Sequence, residues 1–294
     1  MARIAYVNGH YVPHRHAVVH IEDRGYQFAD GVYEVVPVFY ARLIDEDAHL
    51  DRLERSLEEL RMPLPKDRRI IKMISSEIMR RNHLTHGFVY MQVTRGVAPR
   101  DHKFPAAGRP SLVMTARQMK PHSEKQLQEG IGVITLPDIR WQRRDIKSIA
   151  LLPNCLAKQQ AAEAGAAEAW QVDSDGTITE GSSTNAWIIT RDNKLVTRQA
   201  DHSILSGITR LSLIAAAKGA GLAFEERPFT VEEAYLAREA FLTSSTNLVM
   251  PVVKIDDRPI GNGYPGMMTM KLRQLYINYV AAGSQKPSGK KAAA

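Results

Sequence analysis

Cysteine is nearly absent: Cys155 is the single thiol in a chain of 294 residues. No disulfide can form within the chain, so cohesion must come from packing, and the composition suits a reducing cytoplasm. No stretch stays apolar for the ~18 residues that a membrane span needs. The opening "MARIAYVNGHYVPHRH" is polar and His-rich and lacks the apolar core of a signal peptide. A cytoplasmic protein without a membrane partner is therefore expected. There is no internal repeat. A basic stripe with interleaved aromatic residues is missing too. The net charge of +7 includes Lys286, Lys290 and Lys291 in the terminal "GSQKPSGKKAAA". Elsewhere basic and acidic residues interleave, as in "DRLERSLEELR", so no nucleic-acid partner is expected.

What is present is an ordinary globular composition, 44% hydrophobic and 24% charged, in a chain long enough for one large domain or two modest ones. "IAYVNGHYV" reads as a hairpin turning at Asn8-Gly9. "GVYEVVPVFY", "GFVYMQVTRG" and "PSLVMTARQ" read as strands. "HLDRLERSLEEL" is a helix with Leu50, Leu53, Leu57 and Leu60 on one face, and "DRRIIKMISSEIMRRN" is a second helix with Asp67 as its N-cap. "QMKPHSEKQLQEG" breaks the pattern. After it come a strand in "IGVITLPDIR", a helix in "NCLAKQQAAEAGA", a strand–turn–strand in "EAWQVDSDGTITEGSSTNAWIIT" and a helix in "GITRLSLIAAAKGAG". A capped helix in "FTVEEAYLARE", strands in "AFLTSSTNLVMPVVKI" and a closing helix in "MMTMKLRQLYINYVAA" complete the chain. The expectation is a mixed α/β (α+β) protein of two domains. They are a small N-terminal domain over 1–118 and a large one over 129–282, joined by a linker over 119–128. A disordered Lys-rich tail occupies 283–294.

Five short stretches carry candidate chemistry. In "RRDIKSIALLPN", Lys147 enters an apolar run. A lysine kept neutral in a partly apolar pocket is a usable nucleophile and base; the ordinary alternative is a lysine snorkelling beside Asp145. In "TITEGSSTN", Glu180 can face a cationic ring nitrogen and Gly181 permits close backbone approach, or the stretch is an exposed turn. "ILSGITR" places Gly207, Ile208 and Thr209 at a helix start, where free N–H groups suit an anion. "LTSSTN" ends a strand in hydroxyl and amide residues that either complete a phosphate cup or make a polar turn. Arg52, on the polar side of the leucine-faced helix, is either a bidentate phosphate clamp or a solvated arginine.

In this order the blocks "EDRGYQFADGVYEV", "HLDRL", "DIKS", "TEGSSTN", "GITR" and "TSST" resemble those of the fold-type IV pyridoxal-phosphate enzymes, the superfamily of branched-chain and D-amino acid aminotransferases. The resemblance runs from "VNG" near residue 7 to about residue 280. It implies a cofactor, pyridoxal 5'-phosphate, held at the domain interface. Lys147 would hold it as a Schiff base and carry the proton to and from the substrate Cα. Glu180 would pair with the ring nitrogen. Arg52, the Ile208 and Thr209 amides, and Ser244 with Ser245 would cradle the phosphate, with Leu205 against the ring. No metal ion is implied.

"VTRGVAPRDHKFP" narrows the resemblance to the D-amino acid aminotransferase branch. There an Arg-x-His pair, matched by Arg100 and His102, joins a tyrosine, matched by Tyr33, to trap the substrate carboxylate. The loop reaches in from the second subunit of a homodimer. The implied activity is a ping-pong transamination between D-amino acids (D-alanine, D-glutamate) and 2-oxo acids (2-oxoglutarate, pyruvate). The alternatives are a branched-chain L-amino acid aminotransferase, which does not need Arg100 and His102, and a 4-amino-4-deoxychorismate lyase. An (R)-selective amine transaminase, whose substrates lack a carboxylate, is disfavoured by Arg100.

Overall fold

Two sheets organise residues 3–120 and 122–285, the part of the chain that the computed structural model describes. The first begins with β1 (Ile4–Val7) and β2 (His10–Pro13), which turn at Asn8-Gly9 as the sequence predicts. A short helix α1 (Arg24–Phe28) leads into β3 (Gly31–Phe39) and β4 (Arg42–Leu43). Helices α2 (Glu46–Glu59) and α3 (Arg68–Arg81) follow, then β5 (Gly87–Thr94) and β6 (Ser111–Gln118). The strand order is β2-β1-β6-β5-β3-β4, antiparallel throughout. Leu50, Leu53 and Leu57 of α2 are buried with Ile71 and Ile78 of α3 and with Val36, Val89 and Met91 of the sheet. Asp67 caps α3 by accepting from the Arg69 N–H. Neither α1 nor β4 shows in the sequence pattern, because five and two residues are too few to display a period.

The buried face of α2 is wider than its leucine stripe. His49, Arg52 and Ser56 are buried beside the leucines, so Arg52 is not on a solvated side. The cause lies in β3. Glu34 falls in phase with the buried Val32 and Val36 and is itself fully buried, so it needs cationic partners from the helix above it.

The segment 119–128, expected as a plain linker, carries most of a helix, α4 (Glu124–Glu129). Ser123 caps it, and the Gln126 side chain reaches back to the Ser123 N–H. The second sheet is then built from β7 (Ile131–Pro137), α5 (Leu152–Glu163), β8 (Glu168–Val172), β9 (Ile178–Gly181), β10 (Asn185–Ile189) and β11 (Leu195–Thr197). The chain continues through α6 (Ile208–Gly219), β12 (Phe224–Glu226), α7 (Val231–Tyr235), β13 (Glu239–Ser244), β14 (Leu248–Ile255), β15 (Arg258–Pro259) and α8 (Met267–Gln285). The order is β12-β11-β10-β13-β14-β7-β8-β9, with β15 beside β14. The pairs β11/β12, β14/β7 and β7/β8 are parallel. The expected strand–turn–strand is three strands, because the chain turns again after β9, where Gly181 N–H donates to Thr184 O at 2.7 Å. Helix α8 runs to Gln285, into the expected tail; the rest of that tail lies outside the described residues. No helix among the described residues is long and apolar enough to cross a membrane.

The sheets are joined by backbone. The free edge of β3 beyond its short pairing with β4 is taken by residues that follow β7. Tyr33 N–H donates to Lys147 O and Ile149 N–H to Gly31 O, each at 3.0 Å. Glycine at position 31 is required where β3 lies between β5 and this segment: a Cβ there would stand 2.6 Å from Val93 O of β5 and 3.0 Å from Ile149 Cδ1.

Leu53→Ala should lower unfolding stability by about 2–5 kcal/mol, because Leu53 is fully buried where α2 meets the sheet and a cavity would remain. Urea unfolding measures it; a loss well under 1 kcal/mol would mean that α2 can settle into the gap.

Candidate active site

The β3 pairing sets the Lys147 backbone, and the side chain then enters a cavity of about 440 Å³ between the two sheets. Its Nζ lies 4.3 Å from the centre of the Tyr33 ring. No carboxylate among the described residues forms an ion pair with it. Asp145, the neighbour that a snorkelling lysine would use, turns the other way, to Arg55, Arg143 and His202. The run after Lys147 is not buried as its composition suggests: Ala150 and Leu152 are exposed, and Ala150 and Leu151 line the cavity wall. Lys147 itself is half-buried.

Glu180, near the end of β9, supplies the carboxylate. It is buried and lines the same cavity. Its Oε1 accepts from Arg140 Nη1 at 2.6 Å and its Oε2 from Asn185 Nδ2 at 2.9 Å; the Leu205 amide nitrogen lies 3.2 Å from each oxygen. Burial pushes the Glu180 carboxyl above its ordinary range, opposed by Arg140 and the Leu205 amide. Arg140 is held in turn by Asp138 through Nε at 3.0 Å and Nη2 at 2.7 Å. Gly181 is needed less for a ligand than for its own turn, since a Cβ would stand 2.1 Å from Thr184 Oγ1.

The other end of the cavity is rich in donors. Helix α6 opens there with Gly207 as N-cap and no capping side chain, and its first residues, Ile208 and Thr209, line the cavity. The turn between β13 and β14 adds Ser244, Ser245 and Thr246. The Ser244 hydroxyl is engaged within the turn, accepting from Asn247 N–H at 3.0 Å. Arg52 reaches the cavity but does not offer its fork to it. Nε and Nη2 each bond Glu34 at 2.8 Å, and Nη1 donates to Ser206 O at 2.8 Å. Against the upward push of burial, Arg52 and His49 hold the Glu34 carboxyl well below the usual range. Arg52 therefore ties α2 to the loop before α6, rather than presenting a free bidentate clamp.

Tyr33 and Leu205 line the cavity. Arg100 and His102 do not. The Arg100 guanidinium lies 4.7 Å from the Phe28 ring centre and the His102 ring 5.4 Å from it. Arg140, Asn185 and Glu34 are site residues that the sequence reading lacks. Asn185 closes the "TEGSSTN" block, and Glu34 is an acid in phase with buried valines. Both signals are visible once a carboxylate site is sought. Arg140 is 40 residues from Glu180 and carries no local mark.

The donors fit a ligand with an anionic group at one end, an atom that needs a carboxylate partner at the other, and a group that an amine can attack between them. The chain belongs to the class IV aminotransferases: that family's model matches residues 31–255. Among its relatives, the D-alanine aminotransferase of Bacillus licheniformis is 39% identical over 280 residues, covering 95% of this chain and 98% of that one. The D-alanine aminotransferase of Listeria monocytogenes serotype 4b (strain F2365) is 40% identical over 279 residues, covering 93% and 95%. Among solved structures, a T.th. branched-chain amino acid aminotransferase with pyridoxamine 5'-phosphate superposes with a TM-score of 0.89 at 25% identity, covering 98% of this chain and 96% of that one.

Asp145 anchors the Lys147 loop and gives a pH signature. Burial raises its pKa, but bonds from Arg143, His202 and Arg55 overcome this and lower it from the usual 3.8 to about 2. A depressed folded-state value adds stability that is present above the unfolded value and lost as pH falls through the folded one. Unfolding stability should therefore drop between pH 3.8 and about 2, and Asp145→Asn should flatten that part of the profile. Urea titrations of both proteins across this range test it; superimposable slopes would assign the acid transition to other carboxylates.

Proposed function

We propose that this chain is a pyridoxal-phosphate-dependent D-amino acid transaminase. It moves the amino group between D-amino acids such as D-alanine and D-glutamate and 2-oxo acids such as 2-oxoglutarate and pyruvate. The observation that carries the reading is the convergence of the Lys147 amine, the buried Glu180 carboxylate and the uncapped start of α6 on one cavity. The D-alanine aminotransferase relatives supply its stereochemical sense.

Pyridoxal phosphate bound there supplies an electron sink that makes the Cα–H bond of an amino acid labile. The residues do the rest. Glu180, kept in place by Arg140, Asn185 and the Leu205 amide, would accept a hydrogen bond from the ring nitrogen of the cofactor. The Ile208 and Thr209 amides and the Ser245 hydroxyl would hold the phosphate. Lys147, whose side chain lines the cavity, would take the substrate Cα proton and return it. One half-reaction releases a 2-oxo acid, and a second 2-oxo acid then collects the amino group. Which enantiomer reacts depends on where the substrate carboxylate is held relative to Lys147.

For that carboxylate we assign Tyr33 of the same chain with Arg100 and His102 of a second copy. Resting on Phe28, outside their own cavity, these two side chains are available to a neighbour's. The active form is thus a homodimer. The single, exposed Cys155 fits action in the cytoplasm.

D-alanine added to the yellow protein without an acceptor should bleach the visible band, and L-leucine should not. Bleaching by L-leucine alone would transfer the reading to a branched-chain L-aminotransferase, and silence with both would favour the lyase. Lys147→Ala should lose essentially all turnover, and near-normal rates would remove Lys147 from its role. Arg100→Ala should lower kcat/KM for carboxylate substrates about tenfold or more, as expected for a charge-assisted bond; an unchanged value would place the carboxylate trap elsewhere.

A further inference from the structure

The cationic side chains around the cavity are nearly all compensated. Arg52 is paired with Glu34, Arg140 with Asp138 and Glu180, and Arg144 with Asp138 and Asp173. Arg273 of α8 differs. It is 7% exposed, and its bonds go to two carbonyl oxygens, Val249 O at 2.6 Å and Asn247 O at 3.5 Å. No carboxylate among the described residues pairs with it. Burial alone lowers its pKa, with no acidic neighbour to raise it. A buried cation without a counter-ion is costly, so its retention asks for an anion close by.

The carbonyls it grips identify the place. Asn247 and Val249 lie at the back of the turn whose front, Ser244 to Thr246, faces the cavity. One turn further along α8, the buried Tyr276 packs in one cluster with Leu213 and Ile214 of α6 and with Leu248 and Val249 of β14. Helix α8 thus lies behind both halves of the donor-rich end. His122 is another titratable group beside this turn, with Thr246, Asn247 and Arg273 among its neighbours. Burial and then Arg273 depress its pKa, and in neither of its charge states is a histidine an anion that could offset Arg273.

We propose that Arg273 is a positioning residue for the phosphate end of the site: it fixes the Ser244–Asn247 turn from behind and supplies the uncompensated positive charge that balances a bound phosphate dianion. This rests on the pyridoxal-phosphate reading above. Charge acting through one layer of peptide should strengthen phosphate binding and leave the ring end unaffected.

The test compares pyridoxal phosphate with pyridoxal, which lacks the phosphate, as ligands of the full-length chain stripped of cofactor. Each is titrated by its visible absorbance. Both use Lys147 and Glu180, and one alone uses the cup. Arg273→Gln, which keeps a donor but removes the charge, should weaken pyridoxal phosphate about tenfold, the scale of a buried charge pair in a medium of intermediate dielectric. Its affinity for pyridoxal should not change. Arg273→Lys, which keeps the charge, should stay near the wild-type ratio. An equal loss for both ligands would reduce Arg273 to packing and overturn the proposal, as would no loss for either. If Arg273→Gln does not fold, Arg273→Lys decides alone: a preserved ratio supports the charge, a collapsed one overturns it. A wild-type chain that bound neither ligand would instead defeat the cofactor reading itself.

Discussion

Everything at the site depends on one short piece of backbone pairing. Residues 147–149, which belong in sequence to the second sheet, are bonded to the free edge of β3 in the first, with Tyr33 N–H on Lys147 O and Ile149 N–H on Gly31 O. A lysine side chain has four rotatable bonds and considerable entropy to lose on ordering. Fixing its Cα by two backbone bonds leaves only the side chain to be ordered, and the same bonds set Tyr33 beside it. The loop is anchored again on its far side, where Asp145 takes Arg55 of α2. Lys147 is therefore presented by both sheets at once, although no regular element contains it.

A second constraint is the handling of charge. The cavity walls hold three arginines and a glutamate, and each is neutralised by a neighbour rather than left to solvent. Burying such pairs contributes little net stability, because desolvation offsets most of the attraction. Their use here is geometric. Glu34 holds the Arg52 fork, Arg52 holds the Ser206 carbonyl, and this loop carries the Leu205 amide to Glu180. One chain of bonds thus runs from the first sheet to the ring end of the site, and the Arg140–Asp138 pair closes on Glu180 from the other side.

Residues that act through contiguous chain are legible in the sequence. The Asn8-Gly9 hairpin, the Asp67 cap and the helix start at Gly207 are local events with local signatures, and the structure has them in place. Lys147, Glu180 and the Ser244–Thr246 turn each sit in short blocks whose order survives in one dimension. Sequence and structure part where a long-range partner decides the outcome. Arg52 looks solvated because helical periodicity registers leucines, and nothing local states that Glu34 waits beneath the helix. Arg140 is invisible for the same reason. The apolar run after Lys147 has the composition of a buried segment, yet Ala150 and Leu151 line the cavity instead, where apolar surface serves a ligand rather than the core. Segment 119–128 looks like a linker from its proline and polar residues, although Ser123 and Gln126 are the capping box of α4.

The division of the site between α2, α6 and α8 has a physical consequence. A dianionic group bound at the uncapped start of α6 gains from that helix's partial positive charge, which fades within a turn. The Arg52 fork adds little, because Glu34 already occupies it and cancels most of its field. What remains behind this end of the site, within the described residues, is the guanidinium of Arg273, bonded to carbonyls of the chain that follows the turn. A direct contact from such a cation would compete with its carbonyl bonds and would require the turn to open. Acting from behind, it leaves the front of the turn free for the hydroxyls of Ser245 and Thr246, which can select a phosphate by hydrogen bonding while the charge that makes binding favourable stays out of their way.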